Sequence, residues 1–107
     1  MTSLDDRQKG YENKFAHDAE LEFKATARRN KLLGLWAAEK LGKTGDDAQQ
    51  YAKDVVIADL EAAGDNDVIG KLLKDFGRAH LSVSVKDIEQ EMTRLMPLAR
   101  KQIAEGQ

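Results

Sequence analysis

The sequence predicts an all-α protein, namely a four-helix bundle with a flexible N-terminal arm, and two observations carry this prediction. The first is composition: a single Pro and three Phe stand among 107 residues that are rich in Ala, Leu, Lys, Glu and Asp, a mixture that favours helices over strands. The second is periodicity, because apolar residues recur at three- and four-residue steps in stretches separated by glycine-containing turns. A chain of this length forms one domain around one core.

The first helix is predicted to run from about Asp18 to about Leu41. Asp18 or a residue before it is a candidate N-cap, and Gly42 is a candidate for the left-handed residue that follows a helix C-terminus. The second half of this helix is densely apolar and is therefore expected to be the central helix of the core. Its apolar residues are Leu32, Leu33, Leu35, Trp36, Ala37, Ala38 and Leu41.

Two shorter helices are predicted to follow. The second helix begins after a cap at Thr44 or Asp46 and ends at Gly64, and the third helix ends at Gly77. Each has an apolar face at helical spacing. These faces comprise Ala48, Tyr51, Ala52, Val55, Val56, Leu60 and Ala63 in the second helix, and Val68, Ile69, Leu72, Leu73 and Phe76 in the third.

The fourth helix has the most regular apolar spacing and continues to the C-terminus. Ser84 and Asp87 form an approximate capping pair at its start. Pro97 lies inside it, where a missing N–H and a clash with the carbonyl of Thr93 predict a kink or a break. The preceding residues, 80–83, are expected to be a linker, because a lone four-residue strand has no partner for its backbone.

Residues 1–17 contain too few apolar side chains to join a core, so we expect them to form a mobile arm separate from the bundle at 18–107. Leu4, Tyr11 and Phe15 are spaced by seven and four residues, which places them on one face if the arm becomes helical. Such a segment is typical of peptides that fold on binding a partner. The alternative is a frayed terminus without a role.

Charge, cysteine content and hydropathy exclude several classes of protein. Seventeen basic residues against nineteen acidic residues give a net charge of −2, which argues against a nucleic-acid binder. The absence of Cys excludes a thiol nucleophile or disulfide framework and fits a reducing compartment. We find neither a secretion signal nor an apolar run long enough to insert in a membrane, so a cytoplasmic location is expected.

The sequence offers no catalytic constellation, and we expect a protein that is not an enzyme and holds no metal. Gly42-Lys43-Thr44 resembles the end of a phosphate-binding loop, but Ala37 stands where that loop needs its first Gly. His17 and His80 are far apart in sequence, whereas a metal needs three or four convergent ligands. No Ser lies in a strained elbow beside a base.

The densest positive cluster consists of Lys24, Arg28, Arg29 and Lys31. Without interleaved aromatic residues it does not suggest nucleic acid. It is either a solvated helix face or a contact with a partner protein or a phosphate-bearing ligand.

Several stretches of this sequence resemble one known family. They are Phe15-Ala16-His17-Asp18, Phe23-Lys24-Ala25, the run ARRNKLLGLWAAE from Ala27 to Glu39, and shorter matches between Tyr51 and Val68. Together they closely resemble the ζ subunit of alphaproteobacterial F-type ATP synthases, and the resemblance continues more loosely to the C-terminus.

The resemblance implies a four-helix bundle that inhibits ATP hydrolysis by the synthase. It further implies that the N-terminal arm enters a catalytic interface between an α and a β subunit, reaches the γ shaft and folds there as a helix, which blocks rotation in the hydrolytic direction. The residues that match the family's inhibitory segment are Leu4, Asp5, Asp6, Arg7, Lys9, Tyr11, Glu12, Lys14 and Phe15. Gly10 stands where the family has a helix-forming residue.

The implied partners are therefore the α, β and γ subunits, which would hold the chain at the cytoplasmic face of the membrane, and the free chain is expected to be a monomer. No cofactor is expected, although weak ATP or ADP binding is compatible with this interpretation. The alternative interpretation is a helical adaptor for another cytoplasmic partner, and such an adaptor would bind without affecting ATP hydrolysis.

Overall fold

Four α-helices account for nearly all of the chain. The computed structural model describes residues 3–61 and 65–106, with side chains for 19–60 and 66–106. The helices are α1 (Ser3–Lys40), α2 (Gly45–Glu61), α3 (Asp65–Arg78) and α4 (Val85–Ala104). Since the described residues include no strand, the prediction of an all-α four-helix bundle is confirmed.

The C-terminal half of α1 is the centre of the bundle, as its apolar density predicts. α1 packs along both α2 and α4, and α3 packs against α2 and α4 on the remaining side. Trp36 and Phe76 form a T-shaped contact, with an interplanar angle of 86° and ring centroids 5.9 Å apart, a favourable aromatic geometry. The buried core consists of Leu33, Ala37, Ala38, Tyr51, Val55, Val68, Leu72, Phe76, Ile88, Met92 and Leu95.

The turn between α1 and α2 has the predicted chemistry. Gly42 adopts a φ of 78°, a conformation that is unfavourable for residues other than glycine. The amide of Lys43 donates to the carbonyl of Ala38 at 2.9 Å, and the amide of Gly42 donates to that of Glu39 at 3.1 Å. These two bonds satisfy two of the last carbonyls of α1. Thr44 then immediately precedes α2, which places it at the predicted capping position.

The end of α3 differs from the prediction. Gly77 was expected to end the helix, but His80 is the residue with positive φ, at 59°. The amide of Leu81 donates to the Phe76 carbonyl at 2.9 Å, and the amide of His80 donates to the Gly77 carbonyl at 3.1 Å. These hydrogen bonds end the helix after Gly77, and they place Leu81 against the core. The predicted end of α2 at Gly64 lies outside the described residues.

The start of α4 confirms the capping prediction. The Ser84 hydroxyl accepts from the Asp87 amide at 3.1 Å, and an Asp87 carboxylate oxygen accepts from the Ser84 amide at 3.0 Å, which forms a reciprocal capping box. The Ser84 amide that donates to the Asp87 carboxylate, followed by the Ser84 side chain, lowers the pKa of Asp87 below its ordinary value. The linker prediction for 80–83 is also confirmed, because residues 81–84 form neither helix nor strand.

A break at Pro97 is not observed, since α4 runs without interruption from Val85 to Ala104. Both Pro97 and Thr93 are exposed. The Thr93 carbonyl that loses its usual helix donor therefore lies on the solvent side, where water can replace the missing hydrogen bond.

The predicted start of the first helix near Asp18 is also wrong, because α1 begins at Ser3. Residues 3–17 contain no Pro and many good helix formers, and extending an existing helix adds one hydrogen bond for each residue that is fixed. Gly10 is the one residue of this stretch with a substantial helix penalty, about 1 kcal/mol.

Candidate functional site

The N-terminal half of α1 contains the residues that match the inhibitory segment. The backbone of residues 3–17 is helical, while the side chains of residues 3–18 lie outside the described part of the structure. The predictions for Leu4, Asp5, Asp6, Arg7, Lys9, Tyr11, Glu12, Lys14 and Phe15 therefore stay predictions about side chains on a helical backbone.

This half of α1 reaches beyond the end of α4. α1 has 38 residues and α4 has 20, which correspond to lengths of about 57 Å and about 30 Å. The C-terminal end of α4 lies beside α1 at Glu22, where Arg100 donates two hydrogen bonds across the helices. The molecule is 65 Å long and only 25 by 23 Å across. The bundle thus presents a helical segment with one end anchored.

The predicted basic cluster does not form one continuous surface. Lys24 and Lys31 are exposed, and the Lys24 ammonium pairs with Glu20 one helical turn away at 3.1 Å. The Arg28 guanidinium is half-buried and donates to Gln102 of α4 at 3.0 Å. Arg29 is only 8% exposed. Of these side chains, Lys24 and Lys31 are therefore the ones presented openly to a partner.

Arg29 belongs to a buried polar pair that sequence reasoning missed. Its Nε and Nη2 atoms donate to the side-chain oxygen of Asn30 at 3.2 and 2.9 Å. Asn30 is fully buried, and its Nδ2 has no hydrogen-bond partner among the residues that the structure describes. Asn30 precedes Leu33 and Ala37 at steps of three and four residues, so the register of the buried face was the signal that could have located it.

One open depression lies between α3 and α4, with a volume of about 670 Å³. Met92, Met96 and Ile69 supply apolar walls, and Arg29 and Arg100 supply positive charge. Glu89 is its one acidic residue, and its lining includes no His, Cys or Ser. This depression can admit a side chain or a small molecule, but it offers no nucleophile paired with a base.

A second polar cluster joins α2 to α3. The Tyr51 hydroxyl donates to Asp75 at 2.7 Å, and Lys71 donates to the same carboxylate oxygen at 3.1 Å. Burial, followed by the Asp75 carboxylate, raises the pKa of Tyr51 far above its ordinary value. Burial alone raises the pKa of Asp75, but the bonds from Tyr51 and Lys71 outweigh it and lower that pKa. The protonated phenol thus links α2 to α3 through its hydrogen bond to Asp75.

The described residues lack two other kinds of feature. Within 19–60 and 66–106, no three His, Cys, Asp or Glu side chains come together in a group that could hold a metal ion. His80 lies in this part of the chain, whereas the side chain of His17 does not. Over the same described residues, every helix is too short or too polar to cross a membrane.

Comparisons with known proteins identify the relatives of this chain. The model of a family described as ATPase inhibitor subunit zeta matches residues 1–102. A protein solved by solution NMR is 44% identical, covers 81% of this chain and 99% of its own length, and superposes with a TM-score of 0.71. No protein of curated function gives a significant match.

Proposed function

Because this chain belongs to the ATPase inhibitor subunit zeta family, we propose that it is a regulatory subunit that blocks ATP hydrolysis by an F-type ATP synthase. The observation that carries this proposal is the family match over residues 1–102, which includes the N-terminal half of α1 as well as the bundle. The protein acts by binding rather than by catalysis.

The N-terminal half of α1 is the inhibitory element in this proposal. It enters a catalytic interface between an α and a β subunit, next to the γ shaft, and its bulk opposes rotation in the hydrolytic direction. The helical backbone from Ser3 onward supports this role, because a segment that is already helical loses less conformational entropy on docking. Leu4, Tyr11 and Phe15 share one face by their spacing and supply the apolar contact.

The bundle supports this element and holds it in place. Its core fixes the C-terminal half of α1, so the N-terminal half is presented from a folded base rather than from a free chain end. Lys24 and Lys31, exposed on the part of α1 that lies within the bundle, are suited to contact acidic side chains of the synthase or a phosphate-bearing ligand. In the complex the protein lies at the cytoplasmic face of the membrane.

A titration of ATP hydrolysis tests this function. The cognate synthase head is titrated with the full chain and with a chain that lacks residues 1–17, and circular dichroism checks that the truncated chain keeps its helical bundle. Inhibition by the full chain and not by the truncated chain is the expected result. Binding of the full chain without any effect on hydrolysis would instead indicate a helical adaptor.

A further inference from the structure

The last two turns of α4 contact α1 through two polar side-chain contacts. Arg100 donates from Nη2 and Nε to the two carboxylate oxygens of Glu22 at 2.7 and 3.3 Å. Six residues further along α1, Arg28 donates to Gln102 at 3.0 Å. The hydrogen bond from Arg100 lowers the pKa of Glu22, so this carboxylate is ionised at neutral pH.

The apolar contact beneath these side chains is incomplete. An open depression of about 300 Å³ lies between the helices here, lined by Leu21, Ala25, Ile103 and Ala104 together with Glu22 and Arg100. The apolar atoms that line this depression make no packing contact across it with the opposite helix. At this end of the bundle, the polar contacts therefore contribute a larger share of the α1–α4 interaction than they would over a close-packed core.

The position of these contacts on α1 lets them affect where the N-terminal end of the helix lies. Glu22 lies where α1 passes the end of α4, and the helix then continues back to Ser3. A small change in the angle of α1 at this point moves the far end of the helix by a larger distance, because about 28 Å of helix lies between the two positions.

We propose that the Glu22–Arg100 pair is a positioning contact, which fixes the direction in which the N-terminal half of α1 leaves the bundle and thereby sets the potency of inhibition. This inference rests on the proposed function. Glu22 and Arg100 act through the helix that they hold. Arg28 and Gln102 support the same junction from the next turns.

A charge exchange tests this role. The single variants Glu22→Arg and Arg100→Glu each put like charges opposite one another, and the double variant restores an ion pair with reversed polarity. Because an exposed ion pair contributes little to folding, each single variant should still fold. Since the variants alter the contact that directs α1, we expect each of them to weaken inhibition by about three- to fivefold. The double variant should return to within about twofold of the wild type.

The control is Arg94→Glu, which carries the same charge change on the same helix. Arg94 is exposed and pairs with Glu91 inside α4, so its replacement leaves the junction with α1 intact. We expect this variant to inhibit as the wild type does.

Two readouts separate the possible outcomes. Half-inhibitory concentrations for ATP hydrolysis report potency, and amide hydrogen exchange at residues 19–26 reports how firmly α1 is held. The proposal predicts that both change in the single variants and recover in the double variant. The proposal is overturned if the single variants change hydrogen exchange but not potency, or if neither quantity changes. It is also overturned if potency falls in the single variants and the double variant does not restore it. A wild-type protein that does not inhibit at all overturns the proposed function, and the exchange data then report separately whether the pair holds α1.

Discussion

Gly34 of α1 lies so close to Ala52 of α2 that a Cβ atom at position 34 would stand 2.7 Å from the Ala52 Cα. The same atom would lie 3.2 Å from a methyl group of Val55. Backbone cannot move aside as a flexible side chain can, so glycine at this position permits the close approach of the two helices. The close contact between α1 and α2 thus requires a residue without a Cβ atom at position 34.

Replacing Gly34 with Ala should therefore destabilise the bundle. Alanine is favoured over glycine in a helix by up to about 1 kcal/mol, but separating two packed backbones costs about 1–3 kcal/mol. We expect the free energy of unfolding, measured by urea denaturation, to fall. Gly70→Ala is the matched control, because a Cβ at that helical position meets nothing within 4 Å. That variant should gain stability, and a stabilised Gly34→Ala protein would contradict the close-approach argument.

Much of this fold is predictable from local sequence signals. The spacing of Leu33 and Ala37 identifies the buried face of α1, Gly42 supplies its left-handed terminus, and the Ser84–Asp87 pair locates the start of α4. Each of these signals depends on residues within a few positions of one another. A short stretch of sequence therefore contains everything that determines the local structure.

Other features depend on residues that the fold brings together. Tyr51 and Asp75 are 24 positions apart, and no spacing rule connects them. The burial of Arg29 depends on the fold, which brings residues of α3 and α4 beside it. The helical start at Ser3 depends on continued propagation rather than on an N-cap at Asp18. The proposed inhibitory segment is indicated by family resemblance, because its apolar residues are too few for composition alone to assign a function.

The Tyr51–Asp75 contact predicts a specific dependence of stability on pH. Since the pKa of Asp75 is lowered in the folded protein, its contribution to stability is complete above the ordinary value of 3.8 and is lost as the pH falls through the lowered pKa. Asp75→Asn should cost about 1–2 kcal/mol at pH 7 and progressively less below about pH 4. Denaturation midpoints across this range measure the difference, and a constant difference would contradict the ionised contact.

The left-handed conformation of His80 predicts a stabilising substitution. A residue with a Cβ pays about 1 kcal/mol or more at positive φ, and glycine does not. His80→Gly should therefore raise the melting temperature by several degrees. His80→Ala removes the same imidazole but keeps the Cβ, so it should show no such gain. Equal gains in the two variants would mean that loss of the imidazole is the cause.

Gly10 lies within α1, and its replacement should strengthen inhibition. Alanine lowers the cost of keeping this part of the helix ordered by up to about 1 kcal/mol, which corresponds to about a fivefold lower half-inhibitory concentration. Circular dichroism of the free protein should show an equal or greater helical content. Unchanged or weaker potency of Gly10→Ala would contradict a helical inhibitory state.

The central claim is that one face of the N-terminal half of α1 inhibits ATP hydrolysis. At 100° per residue, Tyr11 and Phe15 share a face and Asn13 lies opposite. The most direct measurement is a titration of the cognate ATPase with the combined variant Tyr11→Ala and Phe15→Ala, beside Asn13→Ala. Loss of the two aromatic contacts should weaken inhibition at least about tenfold, while Asn13→Ala retains it. Full inhibition by the combined variant, or equal loss in both proteins, would contradict the account.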